Sequence, residues 1–152
     1  MTRRVLMLMA MVGVMAGLQA QESGDLTVIL NSYLAIHDQL ANDKIDGVKA
    51  PAEKILAEAN KLGERGTSLA QAAKAMTDPA DLEGARKAFG PLSDAVIAAT
   101  QNTRGDVKVA FCPMVNRSWL QKESTIRNPY YGATMLTCGE FRGAKIPDPA
   151  AR

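Results

Sequence analysis

The feature that most constrains the fold of this chain is a chemically dense stretch near its end, residues 111–141. This stretch contains both cysteines, Cys112 and Cys138, together with the only tryptophan, Trp119, and two of the three tyrosines. Most of the residues before it show helical spacing. We therefore expect a helical scaffold with a compact C-terminal motif packed against it, and we expect any functional site to lie in that motif or to face it.

The N-terminal residues have the pattern of an export signal. Arg3 and Arg4 precede an apolar run over residues 5–16. A short segment with the small residue Ala20 at its end follows, as at a signal-peptide cleavage site. We predict a signal peptide over residues 1–20, cleaved after Ala20, because the apolar run is too short to span a bilayer. An uncleaved anchor is the alternative. The predicted location is periplasmic or secreted, with no stable membrane anchoring after cleavage.

The charge balance argues against nucleic acid as a partner. The chain has 18 basic and 16 acidic residues, and the loss of Arg3 and Arg4 with the signal would leave a formally neutral mature protein. A neutral chain lacks the electrostatic basis for binding nucleic acid or an anionic membrane. Residues 21–152 are enough for one domain with one modest core.

Apolar residues recur at helical spacing through the first half of the mature chain. A first helix is predicted from Leu26, with Asp25 as its cap, and a second helix is predicted from about Val48. A short alanine-rich helix is predicted over residues 67–76, with Ser68 as its candidate cap. These segments show no alternating strand pattern between them, which favours helices packed on helices.

A further helix is predicted to begin at Asp78 and Pro79, with the aspartate as the cap and the proline in the first helical position. Its apolar residues alternate steps of three and four, as in a bundle helix. Gly90 and Pro91 interrupt this pattern without shifting its phase. One kinked helix is therefore favoured, and a helix boundary is the alternative.

The predicted fold is mainly α, an up-and-down bundle of three to four helices over residues 21–141 that carries a compact C-terminal Cys/Met motif. One short strand is expected at residues 107–111, where Val107, Val109 and Phe111 alternate with other residues. Residues 142–152 are expected to form a flexible tail.

Two cysteine–methionine pairs are predicted to meet within the motif. A residue before proline favours extended backbone, so Cys112 and Met114 are expected on one side of the chain. Met135 and Cys138 have the spacing of one helical turn, and Cys138 is expected at a helix exit. A turn at residues 128–132 would return the chain so that the two pairs face each other.

The four sulfur atoms form a soft ligand set. Thioether sulfur is a ligand that copper(I) accepts and that zinc does not favour, and silver(I) shares the preference of copper(I). Nearby basic residues could offset the negative charge of an occupied site, although an ordinary place at the surface explains them equally well. Nearby aromatic residues could shield the site from water and oxidants, although core packing explains them equally well. The residues concerned are Arg117, Lys122 and Arg127, and Trp119, Tyr130 and Tyr131.

A disulfide is the competing interpretation of the two cysteines. Oxidising compartments form and keep disulfides, and an exported chain with two cysteines fits that pattern. A bond between Cys112 and Cys138 would stabilise the fold by about 3 to 4 kcal/mol in the chain-entropy model. The two interpretations are compatible, because a reversible dithiol could hold copper(I) when reduced and close when oxidised.

His37, the only histidine, is predicted on the apolar face of the first helix, one turn after Tyr33. A histidine in that position is most often a hydrogen-bonded core residue. The alternative is a metal ligand, or a group that orients the ligands of the motif.

Enzymatic activity is not expected. A nucleophilic cysteine needs a base, and His37 is far away in the sequence with no motif around it. Acidic pairs such as Asp43 and Asp46 occur at loops and helix starts, where capping explains them. The chain contains no phosphate-binding glycine loop and no hydrolase signature.

Several of these residues together resemble a known family. Phe89 with Leu92 and Ser93, the Cys-Pro-Met run at 112–114, Trp119, the Asn-Pro-Tyr-Tyr-Gly run at 128–132, Met135, and Cys138 with Gly139 are similar to an exported bacterial domain of unknown function. That domain occurs alone in secreted proteins and at the C-terminal end of some Cus-type copper/silver efflux adaptor (membrane fusion) proteins. The resemblance covers residues 26–140, most of the mature chain.

The resemblance implies a periplasmic helical domain associated with heavy-metal handling, with Cys112, Met114, Met135 and Cys138 at the positions of the family motif. Because this chain lacks the other domains of the adaptor, the resemblance implies either a component of a copper efflux system as partner or a stand-alone, chaperone-like role. Together these observations predict a periplasmic protein that binds copper(I) or silver(I) as an accessory to metal handling or efflux, with His37 as an extra ligand. The alternative is a disulfide-stapled structural or interaction module that binds no metal.

Overall fold

The computed structural model describes residues 15–143, with side chains from Leu26 onward. Most of the predicted signal peptide and of the predicted tail therefore lies outside the described residues. Helix α1 spans Met15–Ala41. It runs through Asp25, so the prediction that Asp25 caps its first turn is wrong.

Three more helices follow, α2 (Lys49–Lys61), α3 (Thr67–Ala75) and α4 (Leu82–Ala99), with a 3₁₀ turn at Gly63–Gly66 between α2 and α3. Helix α2 begins where apolar spacing predicted it. Helix α3 continues directly from the 3₁₀ turn and has no side-chain cap, so the prediction that Ser68 caps it is wrong.

Helix α4 begins later than its predicted start at Asp78 and Pro79. Asp81 is the true cap, because its backbone is extended and its Oδ1 accepts a hydrogen bond of 2.7 Å from the N–H of Gly84. The helix then continues through Pro91, as the unbroken phase of the apolar pattern predicted. Phe89 and Leu92 are fully buried on either side of the proline, so one packed face spans the interruption.

A three-stranded antiparallel sheet completes the fold, with strands β1 (Lys108–Cys112), β2 (Arg117–Gln121) and β3 (Glu140–Arg142) in the order β2-β1-β3. The chain is mainly α, as predicted, but helices alone do not make up the described fold. Only β1 was predicted. Strand β2 is buried at four of its five positions and so does not alternate, and β3 is too short to show a pattern.

The helices pack in sequence order, α1 on α2, α2 on α3 and α3 on α4, and α4 also packs on α1. Strand β2 lies against α4 and α1. Aromatic rings join the helices to the C-terminal motif: Tyr33 stacks on Phe89 at 5.1 Å between ring centroids, and Tyr130 contacts both Phe89 and Trp119. Among the described residues, no helix combines the length and apolarity that crossing a bilayer requires.

Candidate functional site

Strand pairing brings the two cysteines together. Phe111 of β1 is paired with Glu140 of β3, so the residues just before β3 pass the end of β1, where Cys112 lies. The Sγ atoms of Cys112 and Cys138 are 3.2 Å apart, and both are free thiols. Pairing between residues almost thirty positions apart therefore creates a dithiol at one end of the sheet.

The two thiols differ in their access to solvent. Cys112 is fully buried, whereas Cys138 is half-buried in the turn that leads into β3. The indole of Trp119 lies behind this turn in the core, and its own N–H is bound to the side chain of Gln121. A molecule that approaches from solvent therefore reaches Cys138 before it reaches Cys112.

The two methionines are placed differently from the predicted geometry. Residues 113–116 form the loop between β1 and β2, so the backbone turns immediately after Cys112 instead of continuing extended. The side chain of Met114 is 63% exposed. Asn116 takes a positive φ of 50° in this loop, a conformation that suits a tight reversal. The extended-chain argument for Met114 fails because the strand ends one residue before Pro113.

Met135 lies in the turn that also holds Cys138, but this turn is not a helix. The N–H of Cys138 donates to the carbonyl of Met135 at 3.0 Å, and a 3₁₀ turn ends just before it, at Thr134. Met135 is half-buried. The prediction that a helix ends at Cys138 is therefore wrong. Met135 and Cys138 lie instead in a single hydrogen-bonded turn.

Asn128 holds this arrangement in place and was not predicted as a site residue. It is fully buried, and its Nδ2 donates to the carbonyl of Cys138 at 2.7 Å. The same side chain lowers the pKa of the Cys112 thiol, and its Oδ1 accepts from the N–H of Tyr130 at 2.9 Å. The backbone N–H of Asn128 also donates to the carbonyl of Leu136 at 2.7 Å. One amide thus binds the backbone of Cys138 and lowers the pKa of Cys112, although the sequence showed it only as part of a turn.

Gly139 allows the turn to approach the sheet. Its φ of +143° lies in a region that side chains rarely adopt. A Cβ atom on Gly139 would lie 2.8 Å from the Trp119 ring and 3.0 Å from the carbonyl oxygen of Phe111. The residue after Cys138 must therefore be small for the two thiols to meet.

The surroundings of the two thiols shift their pKa values in opposite directions. Burial by itself would raise the pKa of Cys112, but the N–H groups of Val115 and Met114, the Cys138 thiol and the Asn128 amide are hydrogen-bonded to its sulfur and lower that pKa overall. The hydrogen bond to Cys112, together with burial and the charge that Cys112 acquires, raises the pKa of Cys138. The first proton therefore leaves more readily from Cys112.

His37 is a buried core residue that supports the segment ahead of the site. It is only 1% exposed, and its Nε2 lies 2.9 Å from the carbonyl oxygen of Arg127, to which it donates. This hydrogen bond holds the residue that precedes Asn128. The interaction observed for the imidazole is thus with the backbone of the motif.

The pH dependence of stability is expected to report this burial. Burial lowers the pKa of His37 below its ordinary value of 6.5, against the opposing effects of the Arg127 carbonyl, Glu123 and Asp38. Below pH 6.5 the His37 imidazole binds a proton in the unfolded chain but stays neutral in the folded chain. The free energy of unfolding should therefore fall as the pH falls. Urea titrations at about pH 7.5 and about pH 5 should show a smaller loss for His37→Gln than for the natural protein. Equal losses would contradict this role for His37.

Two of the three basic residues named for charge compensation, Arg117 and Arg127, are already engaged with carboxylates. Arg117 lies 3.1 Å from Asp94, and Arg127 lies 2.7 Å from Asp38 and 3.3 Å from Glu123. Their charges are therefore largely compensated before any metal binds. In the described part of the chain, no group of three or more histidine, cysteine or acidic residues is arranged as a metal site. The sulfur pair is the soft-ligand arrangement that the described residues present.

A surface groove of about 770 Å³ is lined by residues of α4, by Val115 of the loop between β1 and β2, and by Arg117 and Tyr130. Its polar lining consists mainly of side chains that pair with carboxylates, including Arg86 with Asp43 and Lys87 with Glu83. The lining residues are Leu82, Glu83, Arg86, Lys87, Val115, Arg117 and Tyr130. The groove contains no cysteine, so it is separate from the dithiol.

The described fold is a helical domain that carries a small sheet with a thiol pair at one end. The chain belongs to the family described as "Protein of unknown function (DUF3347)", whose model matches residues 29–107, more than half of the chain. This finding confirms a domain of unknown function. The matched region ends before β1, so both cysteines lie beyond it. No curated protein and no solved structure matches the chain at a significant level.

Proposed function

We propose that this chain is an exported protein that binds a soft metal ion, copper(I) or silver(I), through Cys112 and Cys138. The observation that carries the proposal is the pair of free thiols whose sulfur atoms are 3.2 Å apart. Thiolate sulfur is the ligand type that such ions prefer. The lowered pKa of Cys112 favours the thiolate form that binds metal.

The donor set fits a soft ion of low coordination number better than zinc. Structural zinc sites usually have four cysteine or histidine ligands, whereas copper(I) accepts two thiolates with thioether support. Met135 is the better placed thioether, because it is half-buried and shares a turn with Cys138. Met114 is largely exposed and is proposed as a secondary ligand. His37 is left out of the ligand set, because its Nε2 is bound to the Arg127 carbonyl.

The cellular setting of the proposal comes from the sequence. The N-terminal pattern of Arg3 and Arg4 followed by an apolar run supports export to the periplasm or beyond. The resemblance of the cysteine motif to a domain found in copper/silver efflux adaptors supports an accessory role in metal handling, with an efflux component as partner. Enzymatic activity is not part of the proposal.

A competition titration with a copper(I) chelator tests the site directly. The fully reduced mature protein, kept without oxygen, is expected to bind one copper(I) per chain. Met135→Leu keeps the side-chain volume and should weaken binding by about tenfold, whereas Met114→Leu, at the exposed secondary ligand, should have a smaller effect. Both variants should keep the natural stability.

Two outcomes would contradict the proposal. The first is a fully reduced protein that leaves all the copper(I) on the chelator. The second is binding that persists unchanged when both cysteines are replaced by serine. If the reduced chain binds no metal and the protein isolated from its natural compartment contains no free thiol, the disulfide-stapled module becomes the better description.

A further inference from the structure

We propose that Cys112 and Cys138 form a two-electron redox couple that exchanges with the disulfides of small thiols, with Cys138 as the entry sulfur and Cys112 as the resolving thiol. The inference goes beyond metal binding, because it needs only the two thiols. It rests on three features of the structure: the proximity of the sulfur atoms, the difference in their exposure, and the position of both residues at chain turns.

Proximity makes the intramolecular bond accessible. The sulfur atoms are 3.2 Å apart, so they must approach by about 1 Å to reach bonding distance. Cys138 lies between a hydrogen-bonded turn and the start of β3, and Cys112 is the last residue of β1, immediately before the loop at residues 113–116. Neither cysteine lies in the middle of a helix or strand, so a small adjustment at two chain turns is enough to close the pair.

Exposure sets the order of the two steps. Cys112 is fully buried, and its sulfur is in contact with the Cys138 thiol. The pKa of Cys112 is the lower of the two, but a sulfur without access to solvent cannot reach a disulfide reagent, so the reagent must meet half-buried Cys138 first. Once a mixed disulfide has formed there, Cys112 is the sulfur nearest to it, and attack by Cys112 does not require a second encounter with solvent.

The exchange balances with a small-molecule disulfide as the oxidant. In the first step the Cys138 sulfur attacks one sulfur of the reagent, a Cys138–reagent bond forms, the reagent's own disulfide breaks, and one reagent thiolate leaves and takes up the proton that Cys138 loses. In the second step Cys112 attacks the Cys138 sulfur and the second reagent thiolate leaves, taking up the proton from Cys112. Two protein thiols are oxidised to one disulfide, and the reagent disulfide is reduced to two thiols.

Single-cysteine variants separate the two roles. The reduced mature protein, Cys112→Ser and Cys138→Ser are each treated with glutathione disulfide in chelator-treated, metal-free buffer, and intact masses are followed over time. The natural protein should lose two hydrogen atoms and keep no glutathione. Cys112→Ser should accumulate one glutathionyl group on Cys138, at least about tenfold faster than Cys138→Ser acquires one on buried Cys112.

A denatured control and a second variant keep the test decisive. In denaturant the two single-cysteine variants should react at similar rates, which shows that the native difference comes from burial. If Cys112→Ser does not fold, Cys112→Ala fills the same buried position with an apolar side chain and replaces it. Equal native rates for the two variants, or a natural protein that stays reduced or retains glutathione, would overturn the inference. Because no metal is present, the result is independent of whether the chain binds copper(I).

Discussion

Cys112→Ser and Cys138→Ser are each expected to weaken copper(I) binding by at least about 100-fold. Loss of groups that only orient a metal ligand typically costs 10-fold to 100-fold in affinity, so loss of one of two thiolate ligands should cost at least the upper end of that range. A serine hydroxyl is nearly the same size but is a hard, protonated oxygen that copper(I) does not favour. Chelator competition with each reduced variant, under conditions that exclude oxygen, measures the loss.

Thr137→Ala is the matched control for this pair of variants. Thr137 is the exposed neighbour of Cys138 in the same turn, so the change tests whether any substitution there disturbs binding. We expect it to keep the natural affinity. Circular dichroism of all three variants checks that the fold is retained. The dithiol site would be wrong if either serine variant bound copper(I) as tightly as the control.

Asn128→Ala is expected to lower the free energy of unfolding by about 2 to 4 kcal/mol. The change removes the partner of the Tyr130 N–H and of the Cys138 carbonyl, and a buried polar group left without its hydrogen bond costs about 1 to 3 kcal/mol. It also removes the amide from the Cys112 thiol. Urea denaturation of the reduced proteins measures the difference. Asn60→Ala, at an exposed position of α2, is the control and should stay within about 0.5 kcal/mol.

Asn128→Asp distinguishes a general loss of stability from a specific effect on the thiols. The aspartate keeps an acceptor for the Tyr130 N–H but has no amide to donate to the Cys138 carbonyl or the Cys112 sulfur. Its negative charge also disfavours a neighbouring thiolate, so the pKa of Cys112 should rise. Ultraviolet absorbance of the thiolate as a function of pH measures this shift. An unchanged thiol titration in this variant would show that Asn128 acts only on stability.

Much of the helical half follows from local pattern. Apolar spacing correctly predicted the start of α2, the alanine-rich composition of residues 67–76 correctly predicted α3, and the unbroken phase across Pro91 correctly predicted one helix. The errors lie at helix starts, where several polar residues near the boundary are able to act as the N-cap. Asp78 was the predicted cap of α4, but the backbone path places the cap at Asp81, which binds the N–H of Gly84.

The C-terminal motif was less predictable because its order comes from distant pairing. Cys112 and Met114 share a side only if the strand continues, and the turn at Pro113 ends it. Strand β2 has no alternation to detect, since almost all its side chains are covered by helices on one face and by the motif on the other. Asn128 showed only a turn signal, although its amide binds the Cys138 carbonyl and lowers the pKa of the Cys112 thiol.

The sequence by itself determined the helices, the short strand β1 and the set of sulfur residues, because these depend on side-chain type and on spacing within a few residues. Only the tertiary structure decided which of the sulfur atoms meet. The pairing of β1 with β3 brings Cys138 to Cys112 and leaves Met114 exposed on its loop. Such a contact depends on hydrogen bonds between segments far apart in the chain, which local spacing does not encode.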